Sequence, residues 1–413
     1  MRKGYSKNGI TILCSLVYFV SYFSRKDFAA VMADMLSQNI LDRSTAGLVG
    51  TMLFIFYGIG QLLSGYLGDK IKPAYIIIFG LGLTAVSNLL MPLAPTSTLM
   101  IPIWAVNGFA QAMLWPPIVK ILSTYLSHES YVKANLVVTS AAHIATILLY
   151  LYVPLCLTLM SWQTVFYTAS ILAAVTMVCF VFALRIVLPK EAEVKSVKIK
   201  IENSDNISIF KMLIDAGIIP IFACIVVTGF IRDGIESWLP TLYSEAFQRD
   251  STESILVSVI LPIFSILSIT VVTALHKKPI FNNETKSSGI LFAISIVLCI
   301  PLAILINNKT LFARVTCLVL AAIVCAAMHG VNFLLISCLP GRFAPYGRSS
   351  TVSGLTNAFI YVGAAASMFG IALISENLGW SATAISWIII LTISTALAAV
   401  AYGKYSRFIK NNT

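Results

Sequence analysis

The chain has 413 residues, 58% of them hydrophobic and only 11% charged, with a mean hydropathy of +0.89. Globular domains carry about 25% charged residues, so a water-facing surface cannot be built from this composition, and lipid must be the solvent for most of the chain. The net charge of +11, from 28 Lys and Arg against 17 Asp and Glu, reads as loop charge on a membrane protein, which excludes nucleic acid as a partner.

Basic residues precede the first apolar run, but that run is too long for a signal peptide, contains Arg25 and offers no small-residue cleavage site. It is the first membrane helix. With about 20 apolar residues per span, twelve spans are predicted, at 9–33, 45–67, 74–93, 99–126, 133–158, 163–187, 210–245, 252–275, 287–306, 311–339, 346–374 and 380–406. The single long polar stretch, 188–209, is a central loop between two six-helix bundles, 1–187 and 210–413. The expected fold class is therefore an all-α membrane protein of twelve transmembrane helices in two pseudo-symmetric bundles.

Orientation follows from the basic residues. Twenty of the 28 fall on the side of the N-terminus, among them Arg2, Lys3, Lys70, Lys72, Lys190, Lys195, Lys277, Arg348 and Lys404, against four (Arg43, Arg249, Lys309, Arg314) on the other. Both termini and the central loop are thus expected in the cytoplasm, with the chain a multi-pass protein of the plasma membrane, the inner membrane of a bacterium. The remaining four are Arg25, Lys26, Lys120 and Arg232. Lys120 can snorkel to the interface, but Arg25 and Arg232 lie deep, at matching places in the first helix of each half.

An arginine at the bilayer centre costs about 2.5 kcal/mol or more. A pair of them suits an anion, because guanidinium presents a planar fork to carboxylate or phosphate oxygens; pairing with a neighbouring acid, such as Arg232 with Glu236, is the structural alternative. Polar stripes at helical spacing accompany both. They are Tyr18, Tyr22 and Arg25; Tyr57 and Gln61; Asn107, Gln111 and Trp115; Thr139, His143 and Thr146; His329 and Asn332; Asn357 and Tyr361. Helices three, six, nine and twelve, with scattered Ser and Thr, read as lipid-facing supports. The eight cysteines stand singly in apolar runs. Cys325 and His329 lie one turn apart, but two ligands do not make a metal site, so neither metal nor cofactor is expected.

Two groups of motifs carry a family resemblance. The twelve-helix plan and Gly65-Tyr66-Leu67-Gly68-Asp69-Lys70 resemble the major facilitator superfamily. The helix-one segment Tyr18 to Ala29, the run Gln111 to Pro117, Ala142-His143 and the segment Arg232 to Thr241 resemble its organophosphate:phosphate antiporter family. The resemblance implies that Arg25 and Arg232 clamp a phosphate group, that Tyr18, Tyr22, Tyr57 and Tyr361 line the cavity, and that His143 contacts the substrate. Gln61, Gln111, Asn357 and His329 complete the expected site, with Lys26, Asp233 and Glu236 as charge-switch candidates. A phosphate monoester carries about −1.5 to −2 at pH 7, which two arginines nearly neutralise.

Some positions depart from the family pattern. Gln61 stands where glycerol-3-phosphate-carrying members have a lysine, Gly229 replaces a tyrosine one turn before Arg232, and Glu236 is shifted by one position. The expected function is exchange of a small, glycerol-3-phosphate-like organophosphate for inorganic phosphate by rocker-switch alternating access, in a monomer surrounded by lipid. Two alternatives stand beside it. One is an organophosphate sensor of the same fold signalling to a membrane kinase. The other is a proton-coupled organic anion or phosphonate transporter. No nucleophile–base pair or phosphate-cradling glycine loop suggests an enzyme.

Overall fold

The structure is a computed structural model that describes residues 7–126, 128–187, 209–276, 278, 281–346 and 349–410. Most of the predicted central loop (188–208), and with it Lys190 and Lys195, lies outside the described residues, as do Arg2, Lys3, Lys277 and Arg348. Among the described residues the fold is helical throughout. The chain begins with α1 (Lys7–Ser37), α2 (Arg43–Lys70), α3 (Pro73–Leu90), α4 (Ser97–Ala112), α5 (Trp115–Tyr125), α6 (His128–Leu159) and α7 (Trp162–Val187). It continues with α8 (Ile209–Asp215), α9 (Ile219–Phe247), α10 (Ser251–Val257), α11 (Ile260–His276), α12 (Glu284–Leu305), α13 (Leu311–Asn332) and α14 (Ser349–Lys410).

Each predicted apolar segment falls on a helix or a broken pair, and the breaks have local causes. The segment 99–126 divides into α4 and α5 at Met113–Leu114, because Pro116 and Pro117 lack the N–H groups that would continue α4. The segment 210–245 divides at Gly217, whose φ is 70°, just before Pro220, and 252–275 divides just before Pro262. α14 holds two predicted segments and turns at Gly379, φ 81°. Helix α13 passes into a π-helical stretch, Phe333–Cys338, and then a 3-10 stretch, Leu339–Tyr346.

Burial inverts the pattern of a water-soluble protein. Asn88, Asn107 and Thr84 are 0% exposed, whereas Ile304 is 71% and Leu159 77% exposed. Apolar side chains outside and hydrogen-bonded polar ones inside are what lipid demands. Eight helices or helix runs among the described residues are long and apolar enough to cross a membrane. Neither α1 nor α9 is among them; these are the helices that carry Arg25-Lys26-Asp27 and Arg232-Asp233.

The chain divides into two compact units, residues Met1–Val197 with Ser251–Pro262, and Lys198–Asp250 with Ile263–Thr413. The boundary is not a single cut at the central loop, since the short helix α10 packs on α6 and α1 of the first unit. In the first unit α1 packs on α6 and α7, and α2 on α4. Its apolar core gathers Val17, Leu81, Leu114, Ile118, Val138 and Phe180. In the second unit the principal neighbours are α9 with α14, α12 with α14 and α13, and α13 with α9.

Candidate functional site

In the first unit, Arg25 reaches its place because Tyr18, Tyr22 and Arg25 recur along one face of α1. Its guanidinium carbon lies 4.2 Å from the centre of the Tyr22 ring and 5.1 Å from that of Tyr57 on α2. Each such cation–π contact contributes about 0.5–2 kcal/mol, more as water is excluded. Stacking on ring faces holds the charge while directing the in-plane N–H groups elsewhere, toward oxygen acceptors. Tyr18 packs edge-on to Tyr22 at 5.0 Å and against Trp115 at 4.6 Å. Gln61 lies half-buried one turn beyond Tyr57, and its Nε2 is buried with no hydrogen-bond partner among the described residues.

Behind this wall, polar side chains lock the helices together. Ser21 Oγ donates to Gln111 Oε1 at 2.5 Å, and Gln111 Nε2 donates to Thr84 Oγ1 at 3.3 Å. Asn107 and Asn88 donate to the Ser24 carbonyl at 3.0 and 3.4 Å. Gln111, expected at the cavity, is 1% exposed, and its amide is used between α1 and α3. Helix α3, expected only to support, turns Thr84 and Asn88 inward; an asparagine in so apolar a helix was the signal for this. On α6, His143 Nδ1 lies 3.0 Å from the Thr139 carbonyl. Because a carbonyl only accepts, this bond fixes the tautomer and the ring orientation.

In the second unit, Arg232 on α9 is held by two partners. Its NH2 donates to Asp233 Oδ2 at 2.6 Å and its NH1 to Asn332 Oδ1 of α13 at 2.8 Å. The Arg232–Asp233 pair is 12% and 8% exposed. One turn on, Glu236 Oε1 accepts from His329 Nε2 at 2.7 Å. The sequence alternative of an Arg232–Glu236 pair is thus replaced by Arg232 with its immediate neighbour and Glu236 with α13. Of the charge-switch candidates, Asp233 and Glu236 both have partners inside their own unit, while Lys26 in the first unit is 6% exposed. Asn357 and Tyr361 lie half-buried on α14.

Gly229, one turn before Arg232, has a packing role. A Cβ there would sit 2.1 Å from the Ile360 carbonyl oxygen of α14, and one on Gly363 would sit 1.9 Å from the Val226 oxygen of α9. The two helices therefore meet backbone to backbone. Cys325 and His329, which the sequence offers as two ligands without a third, gain one from the packing: Glu236, Cys325 and His329 place their donor atoms within 4.8 Å of one another.

Residues 14–368 match the family profile of the Major Facilitator Superfamily. The chain is 34% identical over 112 residues to a probable hexose phosphate transport protein of Chlamydia trachomatis, a match spanning 27% of this chain and 25% of that one. It is 23% identical to the glycerol-3-phosphate transporter of Bacillus subtilis over 403 residues, 92% of this chain and 88% of the relative. Among solved structures, a bacterial homologue of the human lysosomal transporter Spinster superposes with a TM-score of 0.77 at 13% identity, covering 97% of each chain.

Proposed function

Because this chain belongs to the Major Facilitator Superfamily, we propose that it is a secondary transporter that exchanges a small organophosphate, glycerol-3-phosphate-like, for inorganic phosphate by alternating access. The observation that carries the reading is a partly buried arginine in each unit, braced by that unit's own side chains. Arg25 is backed by the rings of Tyr22 and Tyr57, and Arg232 is aligned by Asp233 and Asn332. Relatives named for hexose phosphate and glycerol-3-phosphate transport support the substrate class.

In this reading each guanidinium takes oxygens of the phosphate, a charge-assisted contact about twice as strong as a neutral hydrogen bond. The two charges together match the dianion. Tyr18, Tyr22, Tyr57 and Tyr361 give the cavity its aromatic walls, and His143 contacts the substrate from α6. Gln61, Asn357 and His329 add polar contacts. An anion arriving at Arg232 competes with Asp233, and Glu236 is the second candidate for that switch. The carrier is a monomer of twelve spans in the plasma membrane with both termini cytoplasmic. It is a carrier and not an enzyme.

The test is exchange in proteoliposomes loaded with phosphate and presented with labelled phosphate and a panel of organophosphates. Uptake should require internal phosphate and fall at least a hundredfold in Arg25→Lys and Arg232→Lys, which keep the charge but lose the fork. Organophosphate binding without flux would mark a sensor instead. Uptake into phosphate-free vesicles driven by a pH gradient would replace exchange with proton coupling.

A further inference from the structure

Three donors of different chemistry converge in the second unit beside the Arg232–Asp233 pair. Cys325 and His329, four residues apart, share a face of α13, and Glu236 meets them from α9, all three donor atoms lying within 4.8 Å of one another. His329 Nε2 is 2.7 Å from Glu236 Oε1. The Cys325 thiol points at the Arg232 carbonyl, 3.9 Å away. Cys325 is fully buried, while His329 and Glu236 keep 13% and 16% of their side chains exposed and so form the approach.

We propose that Glu236, Cys325 and His329 form a binding site for a thiophilic divalent cation of the Zn2+ or Cd2+ type. One sulfur, one imidazole and one carboxylate suit such ions and not Mg2+ or Ca2+, which take oxygen ligands. Metal–ligand bonds of about 2.0–2.3 Å place tetrahedral donors about 3.3–3.7 Å apart. The His329–Glu236 contact must open by about 1 Å and the thiol must close by a similar amount, movements within the reach of side-chain torsions. The charges balance as well. The cation displaces the thiol proton to solvent and forms the metal–sulfur bond; the His329 proton passes from Nε2 to Nδ1 by exchange with solvent, which frees the Nε2 lone pair for the metal, and one thiolate and one carboxylate neutralise the cation. The charge of Arg232 is already matched by Asp233, so the loaded site carries no net charge. Three protein ligands leave a fourth position open to water or to an anion oxygen.

The inference does not depend on the proposed transport, and its test needs no substrate. Cd2+ is titrated into the purified full-length chain in detergent, and sulfur-to-cadmium charge-transfer absorbance in the ultraviolet is followed. The expected result is a one-to-one increment, accompanied by proton release and displaced by Zn2+. It should be absent in Cys325→Ser, with affinity about tenfold or more weaker in His329→Asn and Glu236→Gln. An undiminished increment in Cys325→Ser, or unchanged affinity in both other variants, overturns the site. Should Cys325→Ser fail to fold, a chain with its other seven cysteines replaced decides the matter. Retention of the increment supports the site, and its loss overturns it.

Discussion

Among single residues, Gln61 carries the sharpest expectation. Its Nε2 is buried without a hydrogen-bond partner among the described residues, one turn from a tyrosine whose ring lies 5.1 Å from Arg25. Unit charges several ångströms apart at an effective dielectric of about 20 interact by about 2 kcal/mol. Gln61→Lys should therefore tighten inorganic phosphate binding about thirtyfold, read by calorimetry on the purified protein; unchanged affinity would remove residue 61 from the site. The two arginines were legible in the sequence because charge is rare in apolar helices. Their partners were not. Hydropathy says that Arg232 needs a counter-charge, but whether Asp233 or Glu236 provides it depends on which rotamer α13 leaves open. Similarly, Cys325 and His329 were visible as a pair, while the third donor depended on how α9 and α13 pack.

The helices themselves were legible as apolar runs, and their breaks where proline or glycine marked them: Pro116 and Pro117 between α4 and α5, Gly217 before α9. The closeness of two helices was not, because a glycine that faces a neighbouring backbone looks in sequence like any other. At the α9–α14 contact the prediction is steric. Gly229→Ala drives a Cβ to 2.1 Å from the Ile360 oxygen, an overlap that backbone cannot relieve by a rotamer change. Overpacking costs about 1–3 kcal/mol, outweighing the roughly 1 kcal/mol that alanine adds in helix propensity. Gly229→Ala and Gly363→Ala should each lower the melting temperature in detergent and weaken phosphate binding by displacing Tyr361. Gly403→Ala, whose Cβ meets nothing within 4 Å, should leave the melting temperature unchanged or slightly raise it.

Across the whole molecule, the basic residues make an orientation prediction. Lys309 and Lys404 are both exposed at helix ends, and the asymmetry of charge assigns them to opposite sides. In intact cells a membrane-impermeant maleimide should label Lys309→Cys, and should label Lys404→Cys only after permeabilisation. The reverse pattern would invert the topology. This scale was the most legible of the three, because the choice of lipid over water is an average over hundreds of side chains, and no single contact alters it. The division into units was less so. Helix α10 follows the central loop in sequence, yet Ser251 at its start donates to Asp34 of α1 at 3.1 Å, a contact 217 residues long-range that hydropathy cannot register.

The π-helical stretch Phe333–Cys338 separates two sets of contacts on one run of chain. Before it stand His329 and Asn332, which bond Glu236 and Arg232; after it stands Arg342, whose Nε donates to the buried Glu284 at 2.9 Å. A π turn is an α-helix that has taken in one surplus residue. Wound as a regular α-helix, the same residues would place everything beyond this stretch about 100° further round. The cluster around Arg232 would be preserved, while Arg342 would turn away from Glu284. The surplus residue thus works as a phase shifter, letting one helix serve two sets of partners whose angular positions no uninterrupted helix could satisfy together.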